Sequence, residues 1–525
     1  MDKYNNIPVE KFQFTTKNDL YHDSKFETKP VSYFQGAFQR FAKNKGAVVG
    51  GIVIAILVLF AMLAPLFTPF QPAYYDMTYA YVTPKSNLFA NSNIDFWDGC
   101  REKETNYVGY LKDLALASET GREVIKNGEY TISEDGSTYS YRYDTYYGVG
   151  FGKYKIISKA EFDDIQRYQN ETGRQVLYPV VKLADRPTQE KNKYDANIYY
   201  EVENPKAAAL RPKVDKEGNI IPNYWEYEAG NASSLMAEYN SLRIEGENGI
   251  DKNGKQYFYV YGRKVDGGIE VRTEYYEYYI YQHNEVKKDG ITEPLFWFGT
   301  TQTGKDIFAC LAYGARFSFI FATLVAMANF IVGVIWGSIS GYFGGKIDLF
   351  MERFAEILGS VPTMIVITLL KYHMGTASQV LVLFIAFFAT GWIGMAGRTR
   401  MQFYRFKNQE YVLAARTLGA RDTRIMFKHI FPNGLGTIVT SVALVIPSMI
   451  YSETSLSYLG IINLEAGNTT SVGTLIAAGQ QSIVANAGYV ALFPCVFLVF
   501  LMLSFNLFGN GLRDAFNPSL RGTED

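Results

Sequence analysis

The chain is poor in the residues that build metal centres and disulfide frameworks. Its 525 residues include only three cysteines and four histidines. The cysteines are too far apart in the sequence for a disulfide framework, and the histidines lack the spacing of metal ligands. We therefore predict no metal site and no catalytic centre. The seven residues are Cys100, Cys310, Cys495, His22, His283, His373 and His429.

A working phosphate-binding loop is also missing. Residues 299–305 run from Gly to Gly-Lys with nearly the right spacing, but the next residue is Asp306. A nucleotide-binding loop needs Ser or Thr there to hold magnesium, and a buried strand before it. We predict that the chain is not an enzyme and binds no nucleotide itself.

The chain has no excess of charge of either sign. Lys and Arg total 51, Asp and Glu total 52, and the net charge is −1. Nothing in this balance suggests nucleic acid as a partner. The mean hydropathy of −0.07 resembles that of a soluble protein. This average is misleading, because the apolar residues are concentrated in a few runs.

Six apolar runs are long enough to cross a bilayer, which takes about 20 helical residues for about 30 Å of hydrocarbon. They lie near 46–67, 317–341, 350–370, 380–396, 435–451 and 489–508. The first follows a long polar segment and exceeds the apolar core of a signal peptide, so we predict a retained anchor. The predicted fold class is an α-helical polytopic membrane protein with six transmembrane helices.

Lys and Arg are concentrated on one side of these spans. The N-terminal tail, the loop after the fourth span and the C-terminal tail are basic, whereas 452–481 contains neither residue. Because basic loops stay in the cytoplasm, we predict cytoplasmic termini. The first half is predicted to divide into a cytoplasmic tail at 1–45, transmembrane helix 1 at 46–70 and an extracellular loop at 71–296. A connecting segment at 297–316 then leads to a core with helices 2–6 at 317–510, which includes a cytoplasmic segment at 398–432. The predicted C-terminal tail, at 511–525, is cytoplasmic.

The loop between the first two spans is too long for a simple connection. We predict a large extracellular α+β insertion domain at about 90–294. Asp135-Gly136 lies between two alternating runs, which is the signature of a β-hairpin. Ser158 and Glu161 have the spacing of a capping box, so a helix is expected from there to about Gln169.

The second half of the insertion is rich in tyrosine. Turn signals at Asn253-Gly254 and at 266–268 separate the runs 256–261 and 269–281, which predicts a meander of strands. Alternate tyrosines of the first run, Tyr257, Tyr259 and Tyr261, would then share one face.

Two interpretations of the tyrosine clusters remain open. Aromatic faces with wet hydroxyls could form a platform for sugar or peptide. Alternatively, tyrosine is a favourable strand residue on a half-exposed sheet. The clusters include Tyr275, Tyr276, Tyr278 and Tyr279.

A basic, Ala-rich segment at 410–432 lies between two spans and cannot be inside the bilayer. We predict a helix ended by Gly419, a second short helix capped by Asp422, and Pro432 in the first turn of the next helix. The small side chains would let another protein approach closely, so the segment is predicted to be a docking surface. Its residues are Glu410, Tyr411, Ala414, Ala415, Leu418, Gly419, Ala420, Arg421, Phe427 and Pro432.

This segment resembles the cytoplasmic coupling motif of ABC importer permeases. Ala414, Ala415, Gly419 and Pro432 occupy the places of that motif, while Leu413 replaces its Glu. The signature before the second span resembles that of the C-type permeases of oligopeptide, dipeptide and nickel importers. It matches at Phe298, Gly299, Thr300, Gly304 and Asp306 and departs at Thr301 and Lys305. The resemblance covers roughly 29–86 and 297–520, and the insertion has no recognised counterpart.

The resemblance implies the fold of a type I ABC importer permease and a place in the cytoplasmic membrane of a bacterium. The implied partners are a second homologous permease, two cytosolic ATPase subunits, an extracellular substrate-binding lipoprotein and membrane lipid. ATP and magnesium would be bound by the ATPases, and the implied substrates are oligopeptides. Dipeptides, nickel or another small ligand remain alternatives, as does a surface adhesion or sensor protein whose spans only display the insertion.

Polar residues within the spans are candidates for the transport path, because a charge inside a bilayer needs a partner or water. For Glu352, Arg353 and Glu356 the alternatives are a polar gate or an Arg353–Glu356 pair at the membrane surface. Glu453 could line a mouth or face the outside. Pro362 is expected to kink its span. The full set is Glu352, Arg353, Glu356, Pro362, Glu453, Ser455 and Ser457.

Overall fold

The computed structural model describes 33–87, 95–149, 153–180, 256–375, 378–465 and 469–516, with short stretches at 201, 203–204, 212–217, 220–221, 226–228 and 248–250. The described residues begin with α1 (Tyr33–Lys43), which the sequence analysis missed, and α2 (Lys45–Phe67). The Arg40 guanidinium donates to the carbonyl of Ala515 at 2.7 and 3.0 Å. Helix α1 therefore fastens the start of the described chain to its last helix.

Helices and strands alternate in the insertion, as in an α+β region. The helices are α3 (Tyr107–Thr120), α4 (Lys159–Thr172) and α5 (Tyr275–Tyr281). The strands are β1 (Cys100–Thr105), β2 (Ile125–Ile132), β3 (Tyr139–Asp144), β4 (Lys153–Ile157), β5 (Leu177–Tyr178), β6 (Glu226–Glu228), β7 (Asn248–Ile250), β8 (Gln256–Tyr259), β9 (Gly262–Val265) and β10 (Gly268–Thr273). They form three antiparallel sheets, ordered β1-β3-β2, β4-β10-β5 with β9 also on β10, and β6-β8-β7.

The turn and the helix start predicted in the first half of the insertion are confirmed, but the predicted capping box is incomplete, because the Glu161 carboxylate accepts from Tyr278 and Gln282. Strands β2 and β3 pair across the turn that contains Gly136, whose φ is +70°. The Ser133 and Ser137 hydroxyls donate to Asp135, which lowers the pKa of its carboxyl to about 2. The Ser158 side chain caps α4 by accepting from the N–H of Glu161. The predicted turn at 253–254 lies outside the described residues.

The predicted strand through the tyrosine cluster is wrong, because Tyr275–Tyr281 forms helix α5. Tyr278 and Tyr281 pack into one hydrophobic core with α4 and β10. Tyr279 packs into a second core with Tyr79 and Phe296. Since α5 lies between two cores, its apolar residues are buried all round, and burial overrides the strand preference of tyrosine. Neither a half-exposed sheet nor an open aromatic platform describes these residues.

Tyr261 also departs from the predicted meander. Strand β8 ends at Tyr259, and Tyr261 is fully buried in the core shared by α4 and β10. The turn at Asp266-Gly267 does join two paired strands, β9 and β10, as the sequence predicts. The chain therefore bends out of one sheet after β8 and enters another.

The remaining helices form the membrane region. They are α6 (Ile307–Phe343), α7 (Gly345–Gly359), α8 (Thr363–His373), α9 (Gln379–Phe406), α10 (Glu410–Thr417), α11 (Asp422–Tyr458), α12 (Val472–Ser482) and α13 (Tyr489–Phe516). Among the described residues, five helices (α2, α6, α9, α11 and α13) are long and apolar enough to cross a membrane. The pair α7 and α8, bent by 70° at a break that contains Pro362, would make a sixth span.

Helices α6 and α9 pack closely because α6 carries glycine at every fourth position of one face. A Cβ on Gly333, Gly337 or Gly341 would lie within 2.8 Å of a backbone carbonyl of α9. Such close approach is the usual source of helix contacts in lipid, where apolar burial gives no advantage. The short helix α12, which the sequence analysis missed, packs on α11 and α13 and starts with a capping box of Ser471 and Thr474.

The signature segment before α6 joins the insertion to the membrane region. The Thr300 hydroxyl donates to the carbonyl of Tyr79 and accepts from the N–H of Val82. Gly304 has a φ of +73°, and a Cβ there would lie 1.7 Å from the Asp76 carbonyl oxygen. Asp306 caps α6 by accepting from two backbone N–H groups. Thr300 is needed for its hydroxyl, Gly304 for its missing Cβ and Asp306 for its capping carboxylate. These requirements explain the signature in physical terms.

Candidate functional site

The predicted docking segment begins as expected and then departs from the prediction. Helix α10 runs over Glu410–Thr417, and Gly419 has a φ of +77°, the left-handed conformation that ends many helices. A second short helix does not form. Instead the long helix α11 begins at Asp422 and contains a π-helical stretch, Ile425–Ile430, near its start. Pro432 lies in the first α-helical turn after that stretch, as predicted.

Asp422 is not the predicted helix cap. Its carboxylate accepts a hydrogen bond from the Tyr342 hydroxyl at 2.5 Å, and α11 begins without a side-chain cap. The Arg416 guanidinium donates to the same hydroxyl at 3.4 Å. Tyr342 lies at the end of α6, so its hydroxyl joins three helices. Arg421 occupies the cap position, and Asp422 is the first residue of α11.

An apolar underside fixes the docking segment to the ends of α6 and α9. Val412, Ile425 and Ile430 are fully buried, and they pack with Phe403 of α9. Ala420 is half-buried at the edge of this cluster. A displacement of α10 would therefore be transmitted to both α6 and α9.

The opposite side of the docking segment is exposed and apolar. Leu418 is 87% exposed, and Tyr411, Leu413 and Phe427 are also largely open to solvent. A side chain at Gly419 would meet no atom within 4 Å. Among the other predicted residues, Glu410, Ala414, Arg421 and Pro432 are exposed, and Ala415 is half-buried. Leu418 and its exposed neighbours therefore give this side of the segment several large apolar side chains in open positions.

A charged cluster that the sequence analysis did not assign lies beside this surface. The Arg400 guanidinium of α9 donates to both oxygens of Asp348 at 2.6 and 2.7 Å and to Glu352 at 2.8 and 2.9 Å. Tyr404 and Ser340 donate to the same Asp348 carboxylate. The cluster fixes α7 against α6 and α9. The sequence does place an acid, Asp348, and a base, Arg400, in adjoining spans, and this pattern could have predicted the pair.

The remaining predicted path residues are spread over several places. Glu352 belongs to the Arg400 cluster, and Arg353 and Glu356 form the predicted exposed pair at 2.6 Å within α7. Glu352 and Glu356 also border a cavity of about 410 Å³ between α6, α7 and α9. Pro362 is exposed at the break between α7 and α8. These residues do not form a single site.

Neither alternative for Glu453 is right, because its side chain is 1% exposed. The hydroxyls of Ser457 and Ser318 donate to its carboxylate at 3.0 and 3.3 Å. Glu453 therefore links α11 to α6, away from any opening. Ser457 is buried with it, whereas Ser455 lies in a groove between α8, α9 and α11. Hydrogen-bond partners from a distant helix, which the local sequence does not show, decide this placement.

Apolar helices sufficient for five to six spans, with an exposed helical segment between two of them, are typical of a helical polytopic membrane protein. Residues 333–522 match the family described as binding-protein-dependent transport system inner membrane component. Residues 32–84 match the N-terminal transmembrane domain of oligopeptide transport permease C. The insertion lies between these two ranges.

Individual relatives agree with these matches. The oligopeptide transport system permease protein OppC of Bacillus subtilis is 42% identical over 225 residues, 43% of this chain and 72% of the relative. The dipeptide permease DppC of Bacillus subtilis is 39% identical over 43% of this chain and 69% of its own. An inward-facing form of the MetNI methionine ABC transporter aligns with 38% of this chain and 94% of its own at 14% identity and a TM-score of 0.30, too low to establish a shared fold. The chain belongs to the family of oligopeptide and dipeptide ABC transporter permeases.

Proposed function

We propose that this chain is the C-type permease subunit of an ATP-driven importer that carries oligopeptides across the cytoplasmic membrane. The relatives named as oligopeptide and dipeptide permeases support the substrate class. The exposed apolar side of the docking segment, with Leu418 at its tip, is the observation that carries the proposal. A permease with such a surface would take its energy from a partner that binds there.

The proposed partners are two cytosolic ATPase subunits, a second homologous permease and an external substrate-binding protein. One ATPase would receive Leu418 and Phe427 against the exposed side of the docking segment. When the ATPases close, the force would pass through Val412 and the Tyr342–Asp422 hydrogen bond to α6, α9 and α11. Rigid-body motion of these helices would then alternate access to the path.

Purification of the assembled complex tests this proposal. An affinity tag on the full chain should recover two ATPases, a second permease and the binding protein. The reconstituted complex should import peptide only with ATP. Recovery of the chain without an ATPase, or peptide uptake that does not need ATP, would contradict the proposal.

The variant Leu413→Glu, which restores the residue of the coupling motif, should be tolerated. Leu413 is already exposed, so a carboxylate there keeps its water. ATP-dependent import should stay close to that of the original chain. A complete loss of import would show that Leu413 itself contacts the ATPase in a way Glu cannot.

The proposed orientation places the docking segment in the cytoplasm and the insertion outside. Gly136 is a suitable probe because it lies at a hairpin tip with no atom near its missing side chain. Gly136→Cys should react with a membrane-impermeant thiol reagent on intact cells. The native Cys100 is a poor probe, because burial raises the pKa of its thiol to about 12. Labelling of Gly136→Cys only after lysis would reverse the orientation.

We also propose that the insertion receives the external binding protein. Acidic residues outnumber basic ones between residues 95 and 294, so a basic partner would be attracted, and the attraction would weaken with salt. The insertion shares a buried core with Phe70, Tyr79 and Phe296, which lie outside its predicted range of 90–294. The binding experiment should therefore use the whole complex and not the isolated insertion. Binding of the binding protein should weaken from low to high salt. Peptide binding without the binding protein would make the insertion a capture site instead.

A further inference from the structure

Three cavities that share lining residues follow one another along α11 and together make a groove, bordered first by α8 and α9, then by α6 and α9, and last by α9 and α13. Their volumes are about 460, 250 and 190 Å³. Gly391 and Met449 border both the first and the second cavity. Arg398 and Ser441 border both the second and the third. The groove runs from the α8 end of α11 toward the docking segment.

Four serines of α11 lie along this groove. Ser441, Ser448, Ser452 and Ser455 are spaced by seven, four and three residues, which places them on one face of the helix. Each hydroxyl donates to the carbonyl four residues earlier, at 2.8–3.0 Å. Their oxygens therefore remain available as acceptors. The row of four serines is about 21 Å long, which equals the length of about six residues of extended chain.

A buried amide whose oxygen has no hydrogen-bond partner among the described residues borders the same groove. Asn329 of α6 is 3% exposed and lines the middle cavity, opposite Ser448. Its Nδ2 donates to the Phe387 carbonyl at 3.4 Å, while its Oδ1 has no partner among the described residues. Gly391 makes room for it, since a Cβ there would lie 2.3 Å from the Asn329 amide. A buried acceptor without a donor is unfavourable for folding alone, which points to a ligand.

Two arginines border the end of the groove nearest the docking segment. Arg398 of α9 and Arg513 of α13 line the third cavity with Thr437 and Thr440. Neither takes part in the ion pairs that the described residues form in this region. A charge within a span faces water or a polar ligand, so lipid tails are a poor occupant of this groove.

We propose that this groove is the wall of the peptide path contributed by this chain, an inference that rests on the proposed function. The Asn329 Oδ1 and the serine oxygens would accept from main-chain N–H groups of an extended peptide. The Arg398 guanidinium would donate to its carbonyl or carboxylate oxygens. Contacts to the main chain alone would suit a transporter of peptides of varied sequence.

Cysteine labelling in the reconstituted complex tests the proposal, with Cys100, Cys310 and Cys495 first replaced. Ser448→Cys should react with a small charged thiol reagent, and a large excess of alanine pentapeptide during transport should slow the reaction severalfold. Modification should block pentapeptide import. The matched control is Ser504→Cys, since Ser504 also bonds to the carbonyl four residues earlier but is buried away from the groove. It should stay unreactive.

A second variant separates binding from folding. Asn329→Leu removes the unpaired Oδ1 together with one long hydrogen bond from Nδ2 to the Phe387 carbonyl, so a purely structural role predicts nearly unchanged thermal stability with normal import. The path role predicts import reduced by roughly three- to tenfold, mainly through a higher KM, as for a lost hydrogen bond.

The outcomes distinguish the two proposals. If the original complex does not import peptide, the proposed function fails and the groove proposal fails with it. If import is normal but Ser448→Cys reacts without protection by peptide, the groove holds lipid or water and only the groove proposal is overturned. If Ser448→Cys is unreactive in the complex, the second permease covers the groove, and the proposal is equally overturned.

Discussion

The insertion and the membrane region build their interiors from different materials. The insertion buries tyrosines and ion pairs, such as the fully buried Arg272 with Glu119 at 2.5 Å. The membrane region brings backbones together through Gly333, Gly337 and Gly341. In water, apolar burial drives folding, and large aromatic rings supply it. In lipid this force is absent between helices, so close backbone approach takes its place.

The largest expected effect tests the ion pairs of the insertion. Arg272→Met would leave Glu119 and Glu274 buried without their cation, so we expect a loss of about 3–5 kcal/mol of stability. Lys159→Met breaks an exposed pair with Asp163 and should cost less than about 0.5 kcal/mol. Thermal unfolding in detergent measures both. Equal effects would mean that the insertion does not depend on its buried charges.

The next effect tests close packing in the membrane region. A Cβ on Gly337 would lie 2.3 Å from the Ala396 carbonyl oxygen, so Gly337→Ala should cost about 1–3 kcal/mol through overpacking. Gly397 lies on the facing helix with no atom within 4 Å of its missing Cβ. Gly397→Ala should therefore be neutral or slightly stabilising. Similar unfolding temperatures for the two variants would contradict a glycine-dependent contact.

The joint between the two regions should be sensitive to pH. Burial raises the pKa of Asp306 to about 7, from an ordinary value of 3.8. Between these values the folded chain keeps a proton that the unfolded chain releases, so stability should fall as pH rises through this window. Asp306→Asn keeps a capping oxygen but does not titrate. The variant should lose that slope in thermal unfolding from pH 4 to pH 8. If Asp306→Asn kept the same dependence of stability on pH, other titrating groups would be its cause.

The smallest effect concerns one tyrosine hydroxyl in the shared core. Tyr79 is fully buried, and its hydroxyl has no hydrogen-bond partner among the described residues. Tyr79→Phe should therefore be neutral or stabilising by about 1 kcal/mol. Tyr146 is its control, because its hydroxyl donates to the Thr83 carbonyl at 3.0 Å. Tyr146→Phe should be destabilising. If Tyr79→Phe were the more destabilising of the two variants, an ordered water would be hydrogen-bonded to the Tyr79 hydroxyl.

Local signals in the sequence predicted local structure well. The apolar runs, the turn at Gly136, the cap at Ser158 and the break at Pro362 all depend on a few neighbouring residues. The helix ends extend beyond the predicted runs, because α6 begins at Ile307, directly after its cap Asp306, whereas the predicted run begins at 317.

Errors occurred where a distant residue decides. Tyr275–Tyr281 became a helix because two cores meet there, and Glu453 was buried by Ser318 from another helix. The Asp422 carboxylate accepts from Tyr342, eighty residues away, and does not cap a helix. The helix over Glu410–Thr417 and the turn at Gly419 were nevertheless predictable from local signals, whereas the exposure of the large side chains of Leu418 and Phe427 was not part of the prediction.

The central claim is that the docking segment receives force from an ATPase, and the substitution Gly419→Trp tests it most directly. A bulky side chain there meets open space in this chain but would obstruct a partner. Gly173→Trp is the matched control, since Gly173 also ends a helix with φ near +70° and open surroundings. We predict that Gly419→Trp reaches the membrane at the normal level and abolishes ATP-dependent peptide import, while Gly173→Trp imports normally. Normal import by Gly419→Trp would contradict the account.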